Sequence, residues 1–146
     1  MRNHRFTFLG AVLAIGAALI FATAPTTHAA SDQGFNGTTA KTAAYTVTAA
    51  ENGTVFTNRA ATASVTFTLP APFANAHYLF IAHAGQNLLV AADVVDTLVT
   101  FNDATADSLD ISTTSEKIGS AILVWSDGTS WFAIGITKQT TYTVTT

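Results

Sequence analysis

Residues 64–70, SVTFTLP, put Val65, Phe67 and Leu69 on one side of an extended chain and Ser64, Thr66 and Thr68 on the other. A period of two is the side-chain repeat of a β-strand with one dry face and one wet face. At 3.6 residues per turn a helix would scatter the same residues around its axis. The run then stops at Pro70, with Pro72 behind it, because proline has no N–H to give to a ladder. The same alternation appears in YTVTA (45–49) and in TVFTN (54–58), which follows the turn signal Asn52-Gly53. No stretch after residue 30 keeps an apolar stripe at helical spacing. The chain after residue 30 is lopsided towards Thr and Ala, and its Thr, Val, Phe, Ile and Tyr suit a pleated, half-buried surface. An all-β chain is predicted.

Further strands are expected over AHYLFIAHAG (76–85), apolar on both faces and therefore central, and over QNLLVAA (86–92) and TLVTFN (97–102). The acidic DATADSLD (103–110) reads as a loop and LDIS (109–112) as a short strand. IGSAILVWSDGTSWFAIGIT (118–137) reads as a hairpin centred on Asp127-Gly128, and TYTVT (141–145) closes the chain. Nine to ten short strands at this spacing predict one small β-sandwich, jelly-roll-like or barrel-like domain.

The first residues have a different character. Arg2 and Arg5 precede an apolar run from about Phe8 to Ala22, and Pro25 breaks the run before Thr27 and Ala29, small residues suited to a cleavage site. This is the layout of a secretory signal peptide over residues 1–29. The run is short for a retained anchor, which needs about 20 apolar residues, so a membrane association would arise only through this segment left uncleaved. No Cys follows the run, which excludes a lipid-anchored lipoprotein. Residues 30–41, small and polar, read as a flexible leader, and residues 42–146 as the β-domain. Cleavage after Ala29 leaves 117 of the 146 residues, with Lys41, Arg59, Lys117 and Lys138 against nine acidic residues, a net charge of −5. Four scattered cations argue against a nucleic-acid partner, which needs a clustered basic footprint. With no cysteine, an exported domain of this size must draw its stability from its core, its ladders or oligomerisation.

Little in the sequence carries chemistry. His77 and His83 lie six residues apart, roughly 20 Å along one strand, too far to share a metal ion, and read as structural. Asp93, Asp96, Asp103, Asp107 and Asp110 cluster in sequence, but DATADSLD lacks the alternate-residue spacing and the glycine of an EF-hand loop. A solvated acidic loop is the simpler reading; a weak Ca2+ site there stays open, and no other cofactor is expected. The sequence has no Cys and no G-x-S-x-G elbow, and no carboxylate pair is singled out for glycoside hydrolysis, so no enzyme is expected. Two Asn-Gly-Thr triplets, 36–38 and 52–54, match the N-glycosylation pattern and are equally well explained as turns. Trp125 and Trp131 flank the Asp-Gly turn: a three-residue loop would put both rings on one face, a two-residue loop on opposite faces. Exposed together they would form a platform for a glycan or partner, with Asp103, Asp107 and Asp110 nearby; buried, they are core, and at least one is expected there.

Three segments, YTVTAAENGTVFTNRAATASVTFTLPAP, YLFIAHAGQNLLV and GSAILVWSDGTSWFAIG, together resemble a β-rich module of tail-fibre, spike and other virion structural proteins of tailed phages. The likeness spans about residues 44–136. It rests on Gly53, Phe56, Asn58 and Ala61; on Phe67 to Pro70; on Phe80, Ala84 to Gln86 and Leu88; and on Asp127 to Thr129 with Trp131. The resemblance implies a non-enzymatic, often trimeric building block. A cleavable secretory signal departs from that setting, because virion proteins assemble in the cytoplasm.

The expectation is therefore a secreted or surface-displayed structural or adhesion β-module, homo-oligomeric with a trimer first, that meets a cell-surface or glycan ligand. The alternatives are a secreted carbohydrate-binding or glycan-active protein and a phage virion structural protein. One repeat lies outside the resemblance: KTAAYTVT (41–48) and KQTTYTVT (138–145) share Lys and Tyr-Thr-Val-Thr. Similar places for the first and last strands are expected, Tyr and Val inward and Thr outward, with the two strands pairing side by side or the last adding to a neighbouring subunit.

Overall fold

A computed structural model of the chain describes residues 34–94, 97–112 and 117–146. The segment read as a signal peptide lies outside the described residues, and so does Asp96. The fold is all-β, two mixed sheets packed as a sandwich. Its strands are β1 (Gly37–Ala40), β2 (Tyr45–Thr46), β3 (Thr54–Thr57), β4 (Val65–Thr68), β5 (Ala74–Ile81) and β6 (Leu88–Ala91). There follow β7 (Leu98–Thr100), β8 (Asp103–Ala106), β9 (Ser108–Ile111), β10 (Ala121–Asp127), β11 (Trp131–Gly135) and β12 (Tyr142–Thr145). Among the described residues there is no α-helix, only single 3₁₀ turns at Ala49–Glu51 and Gln139–Thr141.

One sheet has seven strands in the order β1-β3-β5-β10-β11-β7-β8, the other five in the order β12-β9-β6-β4-β2. The first six strands alternate between the sheets, so β1, β3 and β5 are parallel neighbours in one and β2, β4 and β6 in the other. Asn52-Gly53 is therefore a corner between sheets and not a hairpin. Gly53 supplies the left-handed φ of 80° that the corner needs.

The alternation read in residues 64–70 is the alternation observed. Val65, Phe67 and Leu69 are fully buried, while Thr66 and Thr68 face partly outward. Phe67 on β4 meets Phe56 on β3 and Phe80 on β5, at ring separations of 5.5 and 5.1 Å, and this aromatic contact joins the two sheets. Trp131 and Tyr78 extend it, 5.8 Å apart. At one end Tyr142 of β12 reaches across to the other sheet, its hydroxyl donating to the Ala121 carbonyl at 2.7 Å.

Several expectations are corrected. Part of the leader, Gly37–Ala40, is strand β1, bonded to β3 along the sheet edge. The supposed acidic loop 103–110 is strand β8 followed by most of β9, with Asp107 between them. Strand count rises beyond ten for these reasons. YTVTA is a strand only at Tyr45–Thr46 before the 3₁₀ turn. The repeated Tyr-Thr-Val-Thr segments do sit in similar places, Tyr and Val inward of Thr, but β2 and β12 form opposite edges of the five-stranded sheet and do not pair.

Candidate functional site

The hairpin decides the fate of the two tryptophans. Ser126 pairs with Trp131 and Trp125 with Phe132, so four residues, 127–130, connect the last paired positions. An even-numbered connection puts Trp125 and Trp131 on opposite faces. Asp127 builds the longer turn: its Oδ1 accepts from the Thr129 and Ser130 amides at 2.8 and 2.9 Å, and these bonds hold its carboxyl below the usual range. Gly128 follows with φ 101°. Trp131 points inward, fully buried, and its Nε1 donates to the Pro70 carbonyl at 3.0 Å. It is core and not part of a surface platform. Trp125 is 38% exposed and stacks on Phe132, 5.7 Å away with ring planes 18° apart.

Around Trp125 the register lines up an apolar surface. One row across the seven-stranded sheet runs Val55, Leu79, Leu123, Ile134; the next runs His77, Trp125, Phe132, Val99. Each alternates along its strand with a buried residue, so both rows lie on the outer face, and Ile134 is 48% exposed. Phe35 extends the second row, its ring 6.0 Å from that of His77. Beside them in the ladder Asn36 donates to Gly53 O and Gly53 donates to His77 O, and a Cβ at Gly53 would meet the Asn36 side chain at 2.7 Å.

The acidic candidates do not assemble. Asp103 sits on β8 at the rim of the seven-stranded sheet, where Oδ1 accepts from the Thr105 amide at 2.9 Å and Oδ2 from the Thr146 hydroxyl at 3.2 Å. Asp107 lies at the crossing from β8 to β9, its amide bonded to Thr145 O. Asp110 is on β9 in the other sheet, where Asn87 Nδ2 donates to its Oδ2 at 3.4 Å. Among the described residues no three His, Asp or Glu converge as metal ligands would.

Sequence reasoning missed Phe132 and the aliphatic row. The signal was present, since Leu123, Trp125, Phe132 and Ile134 all fall out of phase with the core positions of their own strands. His77 belongs to this surface, and His83 marks a different feature. Beside it, buried Asn58 accepts from the His83 and Ala84 amides through Oδ1, at 2.7 and 2.9 Å, and donates to Gln86 O. Asn58 thus satisfies three backbone groups of the turn 83–86, a structural duty for one of the residues on which the phage-module resemblance rests. Comparison with protein-family models and with curated proteins gives no match.

Proposed function

We propose that this chain is an exported, non-enzymatic structural or adhesion module that works as a homo-oligomer, using the outer face of its seven-stranded sheet as the contact surface. The observation that carries this reading is the pair of apolar rows centred on Leu123 and Trp125 of β10, the middle strand of the sheet, with three strands on either side. Single exposed apolar residues are ordinary, but a contiguous patch marks a contact site. Covering it contributes about 25 cal/mol per Å² of apolar surface. Light scattering on the secreted protein across a wide concentration range tests it. An assembly that Ile134→Lys dissociates without changing the circular dichroism spectrum supports the reading; a monomer throughout sinks it.

The rings of Phe35, His77, Trp125 and Phe132 on this face favour a second reading, a carbohydrate-binding surface, since partly exposed aromatic rings such as the stacked Trp125 and Phe132 suit the apolar faces of sugars. A glycan array separates the two. Trp125→Ala abolishes glycan binding under this reading and leaves the particle mass unchanged, whereas under the first it weakens association and no glycan binds. Trp131, buried, is unsuitable for either test.

A further inference from the structure

Outside that face, Lys117, Asn87 and Asp110 form one cluster of polar side chains. Lys117, in the turn leading into β10, places Nζ 2.5 Å from Oδ1 of Asn87, the residue just before β6. On the other side of the same amide, Nδ2 faces Oδ2 of Asp110 at 3.4 Å. The second carboxyl oxygen, Oδ1, is buried with no partner among the described residues. An amine thus touches one end of an amide while a carboxyl touches the nitrogen that would leave.

We propose that Lys117 and Asn87 join in an intramolecular amide bond, with Asp110 as the catalytic proton carrier. The ammonium first gives a proton to the Asp110 carboxylate. Burial pushes Asp110 up, against the opposing pull of the Lys117 charge and the Asn87 hydrogen bond, so the neutral acid forms more readily than at an open site. The lone pair of Lys117 Nζ then attacks Asn87 Cγ, and a C–N bond forms. Asp110 delivers its proton to Nδ2, the Cγ–Nδ2 bond breaks with its electron pair leaving on nitrogen, and ammonia departs. The carboxylate finally takes the surplus proton from the new amide nitrogen. Amine plus amide gives amide plus ammonia, so the step needs no oxidant, reductant or cofactor.

The backbone holds all three groups in place. Asn87 accepts from the Val65 amide through its carbonyl, at 3.0 Å; Lys117 accepts from the Ser120 amide at 2.9 Å, and Gly119 donates to Ala82 O. Asp110 sits between Leu89 and Thr143 on neighbouring strands. The bond would tie the start of β6, in the five-stranded sheet, to the turn that enters β10 in the seven-stranded one. In a chain without cysteine, it would be a staple between the sheets that reductants do not open.

Mass spectrometry of the intact protein tests this: a mass about 17 Da below that of the chain is expected, one ammonia lost. A cyclised Asn36-Gly37 or Asn52-Gly53 loses the same mass, so the deciding readout is the peptide map. Cleavage before aspartates puts Asn87 in fragment 32–92 and Lys117 in fragment 110–126. The two should emerge as one branched peptide, and as separate peptides in Lys117→Arg. Asp110→Asn should lack the branch as well while Lys117 and Asn87 remain. If that variant does not fold, Lys117→Arg still decides, and its Tm should fall by roughly 10 °C or more with the closed loop opened. Separate, unmodified fragments from the wild-type protein overturn the proposal. A branch that persists in folded Asp110→Asn overturns the part given to Asp110.

Discussion

Trp125 and Trp131 share a hairpin and have opposite environments, and the cause is the parity of the turn between them. The sequence marked the turn through Asp127-Gly128 but left its length open, because one Asp side chain capping two amides adds residues without adding any apolar signal. Single substitutions read the difference. Trp131→Ala should cost about 3–5 kcal/mol, the usual penalty for emptying a core aromatic site, measured by chemical denaturation. Trp125→Ala should leave the monomer's stability within about 0.5 kcal/mol. Tyr78 gives a pH signature. Burial, helped by the charge of Glu51, pushes its hydroxyl up to about 12, and that hydroxyl donates to Thr48 O at 3.0 Å. A group whose folded value is raised contributes stability that is complete below its unfolded value, about 10, and is lost as pH rises through the folded one. Stability should therefore fall by roughly 2–3 kcal/mol between about pH 10 and pH 12. Tyr78→Phe should flatten that part of the profile, and an unchanged slope would assign the loss elsewhere.

Elements were legible where their two faces differ and obscure where they do not. β4 announces itself because every second residue is core. β1 and β8 do not, since both lie at sheet edges, with most side chains in solvent, and backbone bonds hold them rather than apolar burial. Asp and Ala depress strand propensity, and at a wet edge nothing in the side-chain pattern offsets this. The last strand is an edge with a different construction. Tyr142 leans across Gly135 of β11, where an added Cβ would overlap its ring, and its hydroxyl accepts from the Thr137 amide while donating to Ala121 O. Gly135→Ala must push that ring out or shift β11, so a loss of about 1–3 kcal/mol is expected, as for other overpacked sites. Tyr142→Ala in the same background should recover part of it, since the obstacle is then gone. Deleting residues 141–146 removes the ring and uncovers the edge of β9, so a lower Tm and lower solubility are expected. A truncated protein that melts like the full chain would show that β12 adds nothing.

At the scale of the whole molecule, a period of two tells which face a residue takes but not which strand lies beside it. The sandwich was therefore legible and its winding was not. The alternation of the first six strands between sheets depends on corners such as Asn52-Gly53, which look the same in sequence as hairpin turns. The same limit hid the outer apolar rows: β5 reads as apolar on both faces, and only the register shows that its outer residues align with those of β10 and β11. That alignment bears on the proposed assembly as well. A flat sheet face packed on a copy of itself makes an isologous contact and closes as a dimer, whereas a trimer needs two different patches to meet around a three-fold axis. The face described here is one continuous surface, so a two-fold pairing is expected ahead of the trimer that the phage-module resemblance implies. Its apolar character sets how the pairing should respond to salt. A contact built from Leu79, Leu123, Trp125 and Ile134 has little charge to screen, so sodium chloride should barely weaken it and sulfate should strengthen it. Sedimentation in both salts measures this directly. Dissociation by moderate sodium chloride would place the contact on charged residues and away from this sheet.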